Sequence, residues 1–585
     1  MAETLISPGV LARENDISFI APAPTEAGAA LIGPTVKGPV EEPSVVTSFG
    51  EYQRLFGTTF ESGSNKFEFI TSIAAKSYFE QGGNSILVTR VVSGSFTAAT
   101  NTALTASAVA TQPFALQTLS KGALLNNATG SNPDTAVHNS DGSLNLGTDD
   151  NLRWEISNVN NATGTFTLLV RRGDDSTKSK IILETFNDLS LDPNSENYIE
   201  RQIGNQTKTK STDGDVTFIK TVGEYVNRSR FLRVSAVNTP TLNYVSTDGI
   251  TVNADANSVS FSGSLPIAQS GSFQGATGNL FNGIVANNHF QDITNTNTQG
   301  IQAGNYADAI SILENKDEYS FNIISTPGLI YDFGEHKTQL DSVISLAQTR
   351  GDCIAVIDLE QYGATVSNTT AAASTVNSSY AAAYWPWLQT QSATGKNVFV
   401  PASTFIPGVY AFTDGAAAPW FAPAGLVRGG IVGVIQAERK LSRSQRDTLY
   451  DAKVNPIATF PGSGIAVFGQ KTLQTKASAL DRVNVRRLLI ELKEFIGNQA
   501  QNLVFEQNTI ATRNKFLAAV NPFLDSVVQR QGLFAFRVVM DDSNNTADVV
   551  DRNQLVGQIF IQPAKTAEFI VLDFTVEPTG ATFGQ

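Results

Sequence analysis

The stretch ADAISILENKDEYSFNIISTPGLIYDFGEHKTQLDSVISLAQTRGDCIAVIDLE, residues 307–360, decides the fold. ADAISILEN reads as a helix and SFNIIST as a strand. HKTQLDSVISLAQ, with Leu340, Val343, Ile344 and Ala347 on one face, reads as a second helix leading into the strand CIAVIDLE. Helices alternating with short, β-branched apolar runs predict an α/β sheet with helices on its faces. The pattern continues downstream. A Tyr/Trp-bearing helix is expected around Tyr380 to Leu388, followed by the strand NVFVPAS. Ser442-x-x-Gln445 matches a capping box opening another helix, and VNPIATF and GIAVFG follow as strands.

Upstream the same alternation returns. Gly28 to Val46 reads as strands broken by Gly-Pro turns. Phe69, Ile70, Ile73, Ala74 and the pair Tyr78–Phe79 recur at helical spacing, Gly82–Gly83 stop that helix, and ILVTRVV (Ile86 to Val92) is a strand. Between about Gly94 and Gly304 the chain turns to Ser, Thr, Asn, Gly and Asp, with alternating segments such as WEISNV and GTFTLLVRR, which predicts an all-β region of one or two small modules. The simplest arrangement is an α/β (α+β) core written in two pieces, 23–95 and 305–565, interrupted by a β-rich outer insertion, 96–304. An extended arm, 1–22, precedes it and a closing strand or arm, 566–585, follows. Two long helices are expected within the second piece. One is built on Val485, Leu488, Leu489, Leu492 and Ile496. The other is built on Ile510, Phe516, Leu517, Val520, Phe523, Leu524, Val527 and Val528, with a kink at Pro522 and an end at Gly532. LFAFRVVM, GQIFIQP and AEFIVLDFTVE close the chain as strands, the last alternating Ile570, Leu572, Phe574 and Val576.

Composition narrows the function. The 585 residues carry 41 Lys+Arg against 54 Asp+Glu, a net charge of -13, and an acidic surface repels phosphate backbones, so no direct nucleic-acid contact is expected. Cys353 is the sole cysteine, which excludes an intrachain disulfide and a thiolate zinc site. MAETLISPGVLAREN is no signal peptide, and no apolar run approaches the ~20 residues of a membrane span, so neither export nor membrane insertion is expected.

A search for chemistry returns little. A Ser-His-Asp or Cys-His mechanism needs a histidine, and His138, His289 and His336 all read as solvated surface residues. Cys353 opens an apolar strand and reads as an inert buried thiol. PGSGIAVFG lacks the Walker Lys-Ser/Thr, and DDSNNTAD fails as a calcium loop because Thr546 and Arg552 stand where Gly and Glu are needed. The acid pairs Glu41–Glu42, Asp149–Asp150 and Asp174–Asp175 read as solvated loops. No catalytic, cofactor or metal site is therefore expected. Arg439, Lys440, Arg443 and Arg446 cluster with few acids among them, a solvated helix face or a contact for an acidic partner.

Several blocks, in order, resemble contractile tail sheath proteins of the T4-like bacteriophage type. They are SPGV (Ser7 to Val10), GPTVKGPVEEPSVVTSFGEYQRLFG, FEQGGNSILVTRVV, AAAYWPWLQ, the loop VPASTFIPGVYAFTDGAAAPWFAPAG, VNPIATFPGSGIAVFGQKTL, DRVNVRRLLIELKEFI, LVFEQNT, FRVVMDDSNNTADVVD and GQIFIQPAKTAEFIVLDFTV. The insertion carries no such block. The resemblance implies a non-enzymatic virion subunit, assembled in the host cytoplasm, that stacks as six-membered rings into a helical tube around the tail tube protein. It also implies baseplate and tail terminator partners, and contraction that drives the tube through the host envelope. A pyocin-like or other contractile injection apparatus is the nearest alternative. A hydrolase with carbohydrate-binding modules and an adhesin are distant ones. Two surfaces are expected to matter. The chain ends, at Ser7, Pro8, Gly9, Val10 and at Ile570, Leu572 and Phe574, should exchange strands between subunits, because the closing strand would otherwise leave a sticky edge. The short helix after DDSNNT should face the tail tube through Asp548 and Asp551.

Overall fold

The computed structural model describes residues 27–62, 65–128, 139–214, 216–246, 251–253, 261–280 and 288–571. At its centre lies an eight-stranded sheet in the order Ser44–Val46, Ile86–Arg90, Ala27–Gly33, Phe321–Ile330, Ile354–Asp358, Ala381–Trp385, Asn455–Phe460, Gly464–Val467. The six inner strands run parallel, and the two outer ones are antiparallel. Strand periodicity sorts the side chains onto two apolar cores. Leu31, Val88, Ile323, Val356 and Ala382 face helices Phe49–Phe56, Ile70–Glu80 and Ile406–Ala416. Ala30, Ile32, Leu87, Ile324, Ala355 and Ile357 face helices Tyr306–Ile312 and Gly334–Arg350. The expected stripe Leu340, Val343, Ile344 and Ala347 is buried in the second core, and each larger aliphatic side chain so placed contributes about 1.5–3 kcal/mol.

Two elements differ from expectation. Residues Ala381–Trp385 form a central strand, not a helix, because all five are buried between the two cores and a fully buried run of small residues has no period to read. Within the Val400 to Gly425 block, expected as a loop, Ile406–Ala416 is helical, with Pro407 in its first turn and Gly408 in close approach to helix Ile70–Glu80. A Cβ at Gly408 would lie 2.7 Å from the Gln81 amide and 3.1 Å from the Ser77 carbonyl. A further helix, Val366–Ser374, is capped by the Thr365 hydroxyl. The capping box at Ser442 and Gln445 forms in full.

Among the described residues the insertion is built around one sandwich, with a separate hairpin, Thr207–Asp213 and Val216–Val222, beside it. One sheet runs Ile182–Ser190, Thr165–Arg172, Leu152–Asn160, Gln269–Gly271; the other runs Leu232–Val237, Phe114–Lys121, Ala98–Asn101, Phe273–Gln274. Both sheets bury their inner faces in one core, with Trp154, Ile156, Leu168 and Val170 meeting Phe114, Leu116 and Val234. Asp175, expected to be solvated, is buried between Arg171, which it accepts from at 2.7 Å through both oxygens, and Arg153 at 3.2 Å. Asp150 likewise pairs with the buried Lys37 at 3.0 Å. The sandwich enters and leaves at one point, where Thr97 donates from its backbone to the Thr277 carbonyl (3.1 Å) and its hydroxyl accepts from the Thr277 N–H (2.8 Å). Ion pairs brace it against the core: Lys208–Glu42, Lys210 with Glu41 and Asp308, and Arg230–Glu51. The expected insertion boundary near 304 falls beyond the change in packing, because Ile293, Ile301 and Ala303 are buried in the cores of the central sheet.

After the sheet, helices Val483–Gln501 and Ile510–Gln529, the antiparallel hairpin Leu533–Val539 with Gln558–Pro563, and the short helix Ala547–Asp551 build a separate unit. Its own core contains Leu488, Leu492, Phe516, Val520, Leu524, Val527 and Leu533. Phe495 and Phe523 stack between the two long helices with centroids 3.7 Å apart. Ile510, expected on the apolar face, is exposed, and the second helix continues through Pro522.

Candidate interaction surface

In doubly wound sheets ligands bind outside the carboxyl ends of the strands, where the strand order reverses. Here that place is the crevice between Ala27–Gly33 and Phe321–Ile330, beside the N-terminus of helix Ile70–Glu80. The chain fills it with its own residues. Gln299, fully buried, accepts from the Ile70 N–H at 2.8 Å and so caps the helix. Gly328, at φ 103°, leaves room for the neighbouring Thr298 and Gln299, which a Cβ would meet at 2.7 and 2.8 Å. His289 is buried against Phe67, ring centroids 5.1 Å apart. The helix N–H that would meet a phosphate in a nucleotide-binding fold is thus taken by Gln299.

The histidines correct the sequence reading. His138 lies outside the described residues, but His289 and His336 are buried rather than solvated. The His336 Nδ1 accepts from the Ile330 N–H at 3.1 Å, so the ring closes the end of a central strand. Burial holds His289 at about 3 and His336 at about 4, well below the ordinary 6.5. Cys353 is buried, and burial pushes its thiol up, away from nucleophilic character. Among the buried acids, Asp358, at the end of strand Ile354–Asp358, accepts from the Ser403 N–H (3.0 Å) and hydroxyl and is pushed up to about 7 by burial, as is Glu360.

These groups predict a pH response. Below about 6.5 the unfolded chain takes up histidine protons that the folded chain refuses, so acidification removes stability. Asp358 acts oppositely: the folded chain keeps a proton that the unfolded chain releases above about 3.8, so its contribution is present in acid and is lost as pH rises through 7. The two trends offset each other between these limits. Asp358→Asn is therefore expected to lose on the order of 2 kcal/mol more stability than the unaltered protein on going from pH 6.5 to 4.5. Denaturant titration at the two pH values measures it, and parallel losses would refute it.

One surface with unsatisfied potential is the hairpin unit. Leu533–Val539 and Gln558–Pro563 pair only with each other among the described residues, leaving two open ladder edges. Phe534 and Phe560 stand exposed on it. The chain then runs from 564 to 571 without regular secondary structure, and Phe569, Ile570 and Val571 are 81%, 78% and 82% exposed. The closing strand expected from Glu568 is therefore not formed over 568–571. Ile570 is the one described member of the expected arm set; Ser7, Pro8, Gly9, Val10, Leu572 and Phe574 lie outside the described residues.

Asp548 and Asp551 occupy the exposed helix Ala547–Asp551, and Asp548 pairs with Arg552 at 2.8 Å. The loop presenting them is built on a residue the sequence reading passed over. The buried Asn545 accepts from the Val556 N–H (2.8 Å) and donates to the carbonyls of Val556 (2.8 Å) and Asp541 (3.2 Å). Of the basic cluster, Arg439 lies over Trp385 and pairs with Glu438, and Arg446 lies over Phe460 and Phe468. Only Lys440 and Arg443 are left outward and exposed.

Comparison with known proteins shows what the chain is similar to. Residues 299–473 match the family model of the phage tail sheath protein central domain, and residues 475–577 match that of the phage tail sheath C-terminal domain. The chain thus resembles tail sheath proteins throughout the later part of the central sheet and the hairpin unit. Among particular relatives, the tail sheath protein of Vibrio phage KVP40 is 40% identical over 190 residues, 32% of this chain and 28% of the relative. That of Enterobacteria phage T4 is 38% identical over 189 residues, 32% of this chain and 29% of the relative. The matched stretch spans under a third of these curated relatives. The crystal structure of a sheath tail protein from Listeria innocua shares the fold, with a TM-score of 0.52 at 10% identity over 92% of this chain and 95% of that one.

Proposed function

We propose that this chain is the structural, non-enzymatic subunit of a contractile phage tail sheath, a virion component assembled in the host cytoplasm. The observation that carries the reading is the hairpin unit: a two-stranded sheet with open edges, next to an exposed apolar segment, inside the residues that match the sheath domains. A two-stranded sheet is marginal alone and gains by accepting strands. Residues 570–574 and the arm around Ser7 to Val10 are the strands it would accept from neighbouring subunits. Head-to-tail contacts of this kind do not close on themselves and generate an open helix, here stacked six-membered rings around the tail tube, ending at baseplate and terminator proteins. Electron microscopy of the purified full chain tests this: striated tubes are expected, and protein that stays monomeric at high concentration would reject it.

The division into arm (1–22), core (23–95 and from about 288 to 565), insertion (96 to about 280) and closing segment (566–585) belongs to the same proposal, with the sandwich on the outside of the tube. The helix Ala547–Asp551 is the surface proposed to face the tail tube, since Asp548 and Asp551 are held outward on an Asn545-braced loop. Reversing both charges, Asp548→Lys with Asp551→Lys, is expected to weaken co-sedimentation with tail tube at least tenfold while tube-free polymers still form. Should reversal at Lys440 and Arg443 produce that loss instead, the tube-facing surface is the basic one.

A further inference from the structure

Between Pro563, the end of the hairpin, and the exposed Phe569–Val571, the chain crosses the mouth of a cleft of about 1080 Å³ between helix Arg443–Asp451 and the hairpin unit. No secondary structure holds it there, and what does is chiefly a single carboxylate. Glu568 accepts from Arg482 through Nε (2.7 Å) and Nη2 (3.0 Å), from the Tyr450 hydroxyl (2.9 Å) and from the Gln470 side-chain amide (3.0 Å), which also donates to the Thr566 hydroxyl at 2.6 Å. Its donors come from three places: the helix at the sheet edge, the turn after strand Gly464–Val467, and the N-cap of helix Val483–Gln501. Glu568 is mostly buried, at 18% side-chain exposure, and a bidentate, charge-assisted pair fixes direction as well as position. Immediately after it the side chains turn fully outward.

We propose that Glu568 is a positioning residue that fixes where, and in which direction, the chain leaves its subunit toward a neighbour. The proposal rests on the sheath-subunit reading above and names the tether that reading needs. An arm that starts from a fixed point meets a neighbouring hairpin edge in a narrow range of poses, whereas an untethered arm must be ordered at each contact. Because the anchor joins the sheet edge to the hairpin unit, it also ties the arm's root to both bodies of the subunit.

The test compares the full chain with Glu568→Ala, Glu568→Gln and the exchanged pair Glu568→Arg with Arg482→Glu. Sedimentation reads the critical concentration for tube formation, and thermal melting reads the fold. Glu568→Ala is expected to raise the critical concentration roughly ten- to a hundredfold, the effect of losing a charge-assisted pair, with an unchanged melting temperature. Glu568→Gln should fall between, and the exchanged pair should recover part of the loss. Glu568→Ala assembling at the original concentration overturns the positioning role and leaves the sheath reading standing. A fall in melting temperature that accounts for the assembly loss also overturns it, by assigning Glu568 to fold stability. Unaltered protein that forms no tubes under any condition overturns the sheath reading itself, and the positioning role falls with it.

Discussion

Replacing Leu572 and Phe574 with Asp, or cutting away residues 1–20, is expected to turn a tube-forming protein into soluble monomers with an unaltered core. The reason lies in where the apolar surface is. The central sheet ends in antiparallel strands and has helices on both faces, so it offers neighbours little, whereas the hairpin Leu533–Val539/Gln558–Pro563 keeps both edges open. An added strand making roughly five backbone bonds at about 0.5–1.5 kcal/mol each contributes several kcal/mol per contact. That corresponds to some two to five orders of magnitude in association. Asp at alternate positions places charges on the face that must be buried and removes most of this gain. The cores described above are built from other residues, so the melting temperature is expected to hold. Analytical ultracentrifugation and thermal melting measure the two quantities. Truncated protein that still builds tubes of normal stability would show that globular contacts, not exchanged strands, hold the polymer.

How far the sequence could be read follows from the range of each interaction. Helix Gly334–Arg350 was legible because its apolar face repeats within one window, and the capping box at Ser442 because donor and acceptor lie three residues apart. Strand Ala381–Trp385 was not, since burial on both faces erases the period that separates strand from helix. His289 reads as solvated from its polar, turn-rich neighbours and His336 from its place near a helix start, but their surroundings in space are Phe67 and the end of strand Phe321–Ile330. Asp175 sits in an acidic turn, and its burial rests on Arg171, four residues away, together with Arg153 on the neighbouring strand. One signal was available there: two arginines on apolar strands are seldom buried without a carboxylate. For Gln299 no signal existed. Its partner, Ile70, is 229 residues away in sequence, and a glutamine in a Thr/Asn-rich run looks like any loop residue. The candidate surface was legible in its outline, the acidic loop and the apolar closing segment. The parts that shape it, Asn545 and the Glu568 anchor, were hidden because each works through partners brought together only by the fold.

The same non-local packing sets the sharpest expected contrast, between two deletions that differ only in where they end. Joining Thr97 to Thr277 through a short Gly/Ser bridge removes the sandwich and should leave a folded protein that still assembles. The two residues already exchange hydrogen bonds, so the bridge closes without strain, and the sandwich takes its own core with it. The largest loss at the cut is Lys37, buried against the sandwich, which gives up both the carboxylate and the carbonyl of Asp150; the others are modest. The braces at Glu41, Glu42, Glu51 and Asp308 are partly exposed ion pairs, worth about 0–1 kcal/mol each. Buried Arg90 gives up the Lys121 carbonyl but keeps that of Gly38 at 2.8 Å. Extending the deletion to Gln302 should instead abolish folding. It removes Gln299, leaving the buried Ile70 N–H without its acceptor, and takes Thr298 and His289 out of the crevice and Ile293 and Ile301 out of the two cores. An orphaned buried donor costs about 1–3 kcal/mol, and each large apolar side chain lost from a core about 2–5 kcal/mol. Together these come to about 5–13 kcal/mol, comparable to the whole margin of about 5–15 kcal/mol that a typical domain possesses. Soluble yield, a cooperative melting transition and tube formation distinguish the outcomes. If both deletions fold and assemble alike, the 288–302 segment is an ordinary linker and the plugged crevice plays no part in holding the sheet together.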